Sequence, residues 1–401
     1  MNKGDDAGPA LPPVGQDEGE APFAPSPDSV GIVEARSITL PGRFRLEGGR
    51  WLDEVTVAYE TYGRLNQRRD NAILLCHALS GDAHAAGYLS ERDRRPGWWD
   101  TMVGPGKAFD TERYFVICSN VLGGCRGTTG PSSLAPETGH RYGGDFPVVT
   151  IGDMVRVQAL LLDQLGIEQL AGAAGGSMGG MQVLEWAARH PGRLRAAIVL
   201  AAAARLTAQA LAFNEAARQA IIGDPRWRGG HYPPDDPPAG GLAAARMIGH
   251  LTYLSASGME RRFGRGLQDR AALSYSFDAD FQVESYLRHQ AESFVRRFDA
   301  NSYLYITRAM DYFDLGAGAP SLAEALRPAM ARFLIVSVDS DWLYPTSQGR
   351  ELTEALTAAG KATIAVELSS PHGHDAFLLE HRALTPQIGA FLAEGAGASG
   401  F

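Results

Sequence analysis

Gly175-Gly176-Ser177-Met178-Gly179-Gly180 sets a serine among glycines, where a short apolar run meets a helix-like run. Such a turn can present a serine as a nucleophile. It holds the hydroxyl above a sheet, and side-chain-free neighbours let the incoming strand and outgoing helix approach closely. Gly175 and Gly179 complete the Gly-x-Ser-x-Gly spacing. In a chain with 47 glycines the motif alone does not separate a nucleophile from a structural turn, so its partners must decide. A serine hydroxyl needs a base to take its proton and a carboxylate to fix the tautomer of that base. Asp339 and Asp341 follow one apolar run, Arg332 to Val338, and His372 and His374 follow a second, Ala362 to Leu368. The residues leave two choices at each position. An oxyanion would be held by two backbone N–H groups, that of Met178 just after the serine and that of Leu79 in the loop His77 to Gly81. His77 precedes the serine and reads as a structural loop histidine.

The elements that must position these groups alternate. Ile38 to Leu40, Phe44 to Leu46 and Val55 to Tyr59 read as short strands of an antiparallel start, with Glu47 to Arg50 as a turn. Ala72 to Cys76, Tyr114 to Cys118, Leu170 to Ala174, Leu194 to Leu200 and Arg332 to Val338 are apolar runs suited to buried strands, and Ala362 to Leu368 reads as a last strand. Helical periodicity lies between them, over Ile151 to Leu165, from Met181 to His190 and over Ser347 to Ala359, with a closing helix expected over Ala376 to Phe391. This rhythm predicts an α/β fold with a mostly parallel sheet covered on both faces. It stops between Arg205 and about Leu326, where helix-like stretches (Ala208 to Ile222, Gly241 to Tyr253, Phe281 to Phe294) flank a Pro-rich segment, Tyr232 to Pro238. The expected organisation is therefore a flexible tail over 1–35, a core over 36–204 and 327–401, and a helical lid inserted over 205–326.

Composition excludes several function classes. A net charge of −9 with no basic stripe argues against nucleic acid as a partner. Cys76, Cys118 and Cys125 have neither disulfide-framework nor zinc-ligand spacing. No metal is called for, and no apolar run is long enough to span a membrane, so a cytoplasmic protein is expected.

Several separate blocks carry a family likeness: His77-Ala78-Leu79-Ser80-Gly81-Asp82, Gly97-Trp98-Trp99-Asp100, Asn120-Val121-Leu122-Gly123-Gly124-Cys125, Thr129-Gly130-Pro131-Ser132-Ser133, Gly175 to Gln182, Asp341-Trp342-Leu343 and Gly373-His374-Asp375-Ala376-Phe377. In this order they closely resemble the homoserine O-acetyltransferases, α/β-hydrolase-fold enzymes of methionine biosynthesis. The likeness runs from about Ile38 to the C-terminus. It implies Ser177 as nucleophile, Asp341 rather than Asp339 as the acid and His374 rather than His372 as the base. It also implies that Arg246 and Asp375 bind the acceptor, L-homoserine, a zwitterion whose carboxylate suits a guanidinium and whose ammonium suits a carboxylate. The co-substrate would be acetyl-CoA with no further cofactor, and the assembly a homodimer through the insertion. Succinyl-using members resemble one another in an Arg two positions after the acid. Leu343 stands there in this chain, and facing a succinyl carboxylate with it would cost roughly several kcal/mol, which favours acetyl. The alternatives kept open are a succinyl-CoA or L-serine user and a serine ester or thioester hydrolase.

Overall fold

The computed structural model describes residues 25–396. The tail expected over 1–35 lies outside the described residues as far as residue 24, and its last stretch is tied down. Val33 N donates to Tyr88 O at 2.8 Å and Tyr88 N to Gly31 O at 2.9 Å, while Val30 and Val33 pack on the core.

Eight strands form the main sheet: β1 (Arg36–Leu40), β2 (Val55–Tyr62), β3 (Ala72–Cys76), β4 (Phe115–Ser119), β5 (Gly172–Gly176), β6 (Ala196–Leu200), β7 (Arg332–Val338) and β8 (Thr363–Leu368). Their order is β1-β2-β4-β3-β5-β6-β7-β8. The pairs β1–β2 and β2–β4 are antiparallel, and every later pair is parallel. The antiparallel start is therefore present, with one change. Phe44–Arg45 pairs with Trp51–Leu52 across the expected turn rather than joining the main sheet, because Leu46 N closes that turn on Arg50 O at 2.8 Å.

Strands β3, β5 and β6 are buried along their whole length. Strand alternation sends Leu74 and Cys76 to one core and Ile73 and Leu75 to the other. The first core is filled by α1 (Ile151–Gln164), α2 (Met178–Arg189) and α9 (Thr346–Ala358). The second is closed by Trp99, Phe109 and the inner face of α11 (His381–Ala396). Thr150 and Asp153 begin α1 with a reciprocal capping box, which satisfies two N–H groups that a helix start leaves open.

The segment between β6 and β7 carries α3 (Ala208–Ile222), α4 (Ala239–Tyr253), α5 (Ala256–Arg262), α6 (Gln282–Val295), α7 (Ala300–Asp311) and α8 (Leu322–Leu326). Of these, the sequence reading singled out α3, α4 and α6. Helix α7 starts at an Asp299 cap that receives Ser302 N. The closing helix expected over Ala376 to Phe391 is instead two pieces, α10 (Ala376–Leu379) and α11, broken at Glu380 (φ −85°, ψ 43°). Glu380 accepts Ser370 Oγ at 2.6 Å, so its side chain is held by the loop after β8 while the backbone turns.

The glycines of the serine turn are steric necessities. A Cβ on Gly179 would lie 2.0 Å from Cys76 O, and one on Gly175 2.5 Å from Gly179 C. The first approach is helix α2 meeting the end of β3, backbone to backbone, so nothing flexible can yield. Gly179→Ala is expected to lower unfolding free energy by about 3 kcal/mol or more, through overpacking. Urea unfolding checks this, and a loss of unfolding free energy smaller than a third of that amount would count against it.

Candidate active site

Ser177 sits between β5 and α2 with φ 57° and ψ −125°, a backbone conformation that an L-residue adopts only when its surroundings impose it. Its N–H donates to Leu200 O at 3.0 Å, and its carbonyl accepts Gly180 N at 2.9 Å. These bonds hold the turn from both neighbours. Asp341 comes from the loop after β7 and His374 from the turn after β8, and His374 Nδ1 lies 2.7 Å from Asp341 Oδ2. Both side chains are almost fully buried. The other carboxylate oxygen accepts Leu343 N and Tyr344 N, each at 2.9 Å, so Asp341 is oriented before the imidazole meets it. Burial alone would pull His374 below the ordinary histidine range, but the charge and hydrogen bond of Asp341 outweigh it and hold the pKa above that range.

The alternatives at each position fall elsewhere. Asp339 is exposed and accepts Ser369 Oγ and Ser370 N, which fastens the β7 loop to the β8 loop. His372 is exposed, 3.9 Å from Glu380. No hydrogen bond joins the Ser177 hydroxyl to His374 among the described residues, and such contacts in free enzymes often tighten only with substrate.

The N–H groups of Leu79 and Met178 donate to no acceptor among the described residues. Their separation is set by a buried chain of amides. Trp186 Nε1 donates to Gln158 Oε1 (2.8 Å), Gln158 Nε2 to Gln182 Oε1 (2.7 Å), and Gln182 Nε2 to both His77 O (3.2 Å) and Met178 O (3.3 Å). One side chain thus ties the loop of Leu79 to the helix that Met178 opens. His77 is buried and neutral, with Nδ1 donating to Ala78 O and Nε2 accepting Val121 N. Burial lowers its pKa. It braces the loop and does not face Ser177.

Above this edge of the sheet lies α4. Its end is fixed to both loops that carry the pair: Trp342 Nε1 donates to Leu254 O at 3.0 Å, and Ser255 Oγ to Pro371 O. Gly373, at φ 64°, packs so tightly beneath that a Cβ there would come within 2.6 Å of Ser255 N. Arg246 projects from α4 over Phe294 (4.7 Å) and Tyr253 (5.6 Å). Its Nε and Nη1 are buried and have no partner. Asp375, half-buried, interacts with the charges of His374 and Arg246, while burial pushes its carboxyl above the usual range. A guanidinium edge with two unused donors beside a carboxylate is matched to a ligand bearing both charges.

The α/β-hydrolase-fold family profile matches residues 71–380. The chain is 57% identical to a homoserine O-succinyltransferase of Magnetococcus marinus, over 91% of this chain and 95% of that protein. It is 56% identical to a homoserine O-acetyltransferase of Zymomonas mobilis, over 89% and 96%. The chain belongs to the homoserine O-acyltransferase family. Among solved structures, the homoserine O-acetyltransferase from Bacillus anthracis superposes with a TM-score of 0.85 at 32% identity, covering 90% of this chain and 98% of that one. Esterase E22 superposes at 0.83 and 33% identity, covering 90% and 100%.

Within this homoserine O-acyltransferase family member, a cavity opens at Ser177 and is lined by Leu79, Phe213, Tyr253, Met310, Leu343 and Tyr344, among others. Sequence reading missed the two tyrosines. Tyr344 stacks on the His374 ring at 5.0 Å, and Tyr253 approaches the same ring at 5.9 Å. Tyr344 directly follows Asp341-Trp342-Leu343, so its adjacency to the acid was a readable signal. Tyr253, 121 positions before His374 and on the insertion, left none.

Proposed function

We propose that the chain transfers acetyl from acetyl-CoA to the γ-hydroxyl of L-homoserine through an acyl-Ser177 intermediate. His374 takes the proton as Ser177 Oγ attacks the thioester carbon. The oxyanion is held by Leu79 N–H and Met178 N–H, and the C–S bond breaks as His374 returns the proton to the CoA sulfur. Homoserine then loses its hydroxyl proton to His374 and attacks the acyl ester. Ser177 leaves with that proton, and O-acetylhomoserine is released. The observation that carries transfer rather than hydrolysis is the buried Arg246 edge with unpartnered Nε and Nη1, which lies over the Tyr253 ring that also neighbours His374. Arg246 takes the acceptor carboxylate and Asp375 its ammonium.

Acetyl is favoured over succinyl because Leu343 lines the cavity and no Arg or Lys is among its lining residues. The Magnetococcus relative makes succinyl the rival, and the likeness to esterase E22 makes hydrolysis the second reading. Thiol release from acetyl-CoA and succinyl-CoA, each with homoserine, serine or no acceptor, separates them. Acceptor-independent release would sink transfer, and faster release from succinyl-CoA would sink the Leu343 argument. Arg246→Gln is expected to raise KM for homoserine on the order of 10²-fold, the worth of a forked charge-assisted pair. The first-turnover burst of thiol should persist. An unchanged KM would remove Arg246 from acceptor binding.

The insertion over 205–326 is read as the lid. The fully exposed Tyr275 and Phe277 upon it support a homodimer through that segment, which a monomeric mass in solution would contradict. No helix among the described residues is long and apolar enough to cross a membrane, which supports a cytoplasmic protein that acts on small molecules.

A further inference from the structure

His250, on the turn of α4 after Arg246, is 5% exposed, and neither of its ring nitrogens has a partner. Three guanidiniums gather around it. Arg246 and Arg297 share the Phe294 ring, at 4.7 and 5.2 Å. Arg262 lies 4.5 Å over the Tyr286 ring, which also neighbours His250 at 5.7 Å. None of these three arginines is ion-paired among the described residues, although other arginines of the insertion are, such as Arg218 with Asp311 and Arg270 with Asp280. Burial and then the three positive charges push the His250 pKa down to about 3, so the imidazole adds no charge of its own. Arg262 and Arg297 are exposed, and these cations, gathered on aromatic faces around a buried imidazole with both nitrogens free, present donor edges with no anionic partner among the described residues.

The wall also has a direction. From His374 the rings step outward to Tyr253 (5.9 Å), His250 (5.8 Å) and Tyr286 (5.7 Å), and then to the exposed Arg262. At its inner end Arg297 Nη1 donates to Ser80 O, next to Leu79. Arg246 serves the acceptor, which leaves the outer cations for something longer. A CoA thioester places its phosphates at the far end of an extended pantetheine arm, and an arm entering at Ser177 needs cations several ring-widths away.

We propose that Arg262, backed by Arg297 and His250, seats the phosphate-bearing end of the acyl donor. Guanidinium on an aromatic face is preorganised for phosphate, because stacking fixes the planar fork while leaving its edges open. The inference rests on acyl-CoA being the donor.

The test compares acetyl-CoA with S-acetylpantetheine, the same thioester without the diphosphate and nucleotide, in wild type and Arg262→Gln at saturating homoserine. The ratio of kcat/KM for acetyl-CoA to that for S-acetylpantetheine is expected to fall about tenfold in the variant, the size of one charge-assisted contact. Most of the fall should be in KM, with partial recovery in Arg262→Lys. Calorimetric titration with CoA, which needs no turnover, should weaken by the same factor, and inorganic phosphate should compete with CoA in wild type only. Equal losses on both thioesters, or unchanged CoA affinity, overturn the proposal. A wild type that binds CoA in an Arg262-dependent way but transfers nothing would sink the transferase reading and leave the seat standing. Transfer from acetyl-CoA indifferent to Arg262 would do the reverse.

Discussion

Ser177→Ala is expected to cut homoserine-dependent thiol release from acetyl-CoA by about 10⁶-fold, the loss typical when a triad nucleophile is removed. The fold should survive. The elbow is held by backbone hydrogen bonds from Ser177 N to Leu200 O and from Gly180 N and Met181 N to Ser177 O, none of which involves the hydroxyl. Alanine bears the same strain at φ 57° that serine does. The cysteines do not inherit the role: Cys76 and Cys118 are wholly buried, and burial pushes their thiols, and that of the half-buried Cys125, up and away from the reactive thiolate. CoA affinity should be retained, because the donor's phosphates are held elsewhere. Mass spectrometry of wild type mixed with acetyl-CoA alone should find one acetyl group on the peptide containing Ser177, and none on the variant. Transfer that survives in the variant, or an adduct on another peptide, would refute the acyl-serine route.

Asp341→Asn is the second large effect, about 10⁴-fold in kcat. The amide can still accept Leu343 N and Tyr344 N through its oxygen, so the loop after β7 should keep its shape. Its nitrogen cannot accept from His374 Nδ1, however, and the imidazole is driven to the tautomer that points its lone pair away from Ser177. The pH profile gives an independent reading. In wild type His374 titrates above the ordinary histidine range, since Asp341 outweighs burial. The base is the neutral imidazole, so kcat/KM should rise with pH through that raised midpoint. Without the carboxylate charge burial acts almost alone, and the residual activity should rise at lower pH. A rising limb that stays in place, or moves to higher pH, would remove Asp341 from the partnership.

Much of this protein was legible before folding. The six apolar runs all became strands of one sheet with parallel neighbours; five are largely buried, because a strand covered on both faces must be apolar along its length, while the last, Thr363–Leu368, is a mostly exposed edge strand. The Gly-x-Ser-x-Gly turn was readable because its glycines are demanded by contacts within a few residues and with the adjacent strand. The break at Glu380 was not legible, since helical periodicity continues through it and only the bond to Ser370 ends the helix. Helix α7 escaped for a related reason. Tyr303, Ile306 and Met310 recur at helical spacing, but buried Asn301, Ser302 and Thr307 stand among them and break the apolar pattern.

The sequence by itself determined the sheet, the elbow and the loops from which an acid and a base must come, since each follows from local pattern and chain order. Residue types alone left Asp339 and Asp341, and likewise His372 and His374, equivalent in kind, and family likeness chose between them. The physical difference is tertiary. Two carboxylates two positions apart on one loop point to different surroundings, one to Ser369 and Ser370 in solvent and one to the His374 ring in a closed core. The same holds for Arg246. Its charge is written in the chain, but only the packing of α4 over Phe294 and Tyr253 leaves two of its donors buried and unmet. Burial and missing partners are properties of the space around a side chain, which depends on segments more than a hundred residues away and is absent from any local pattern.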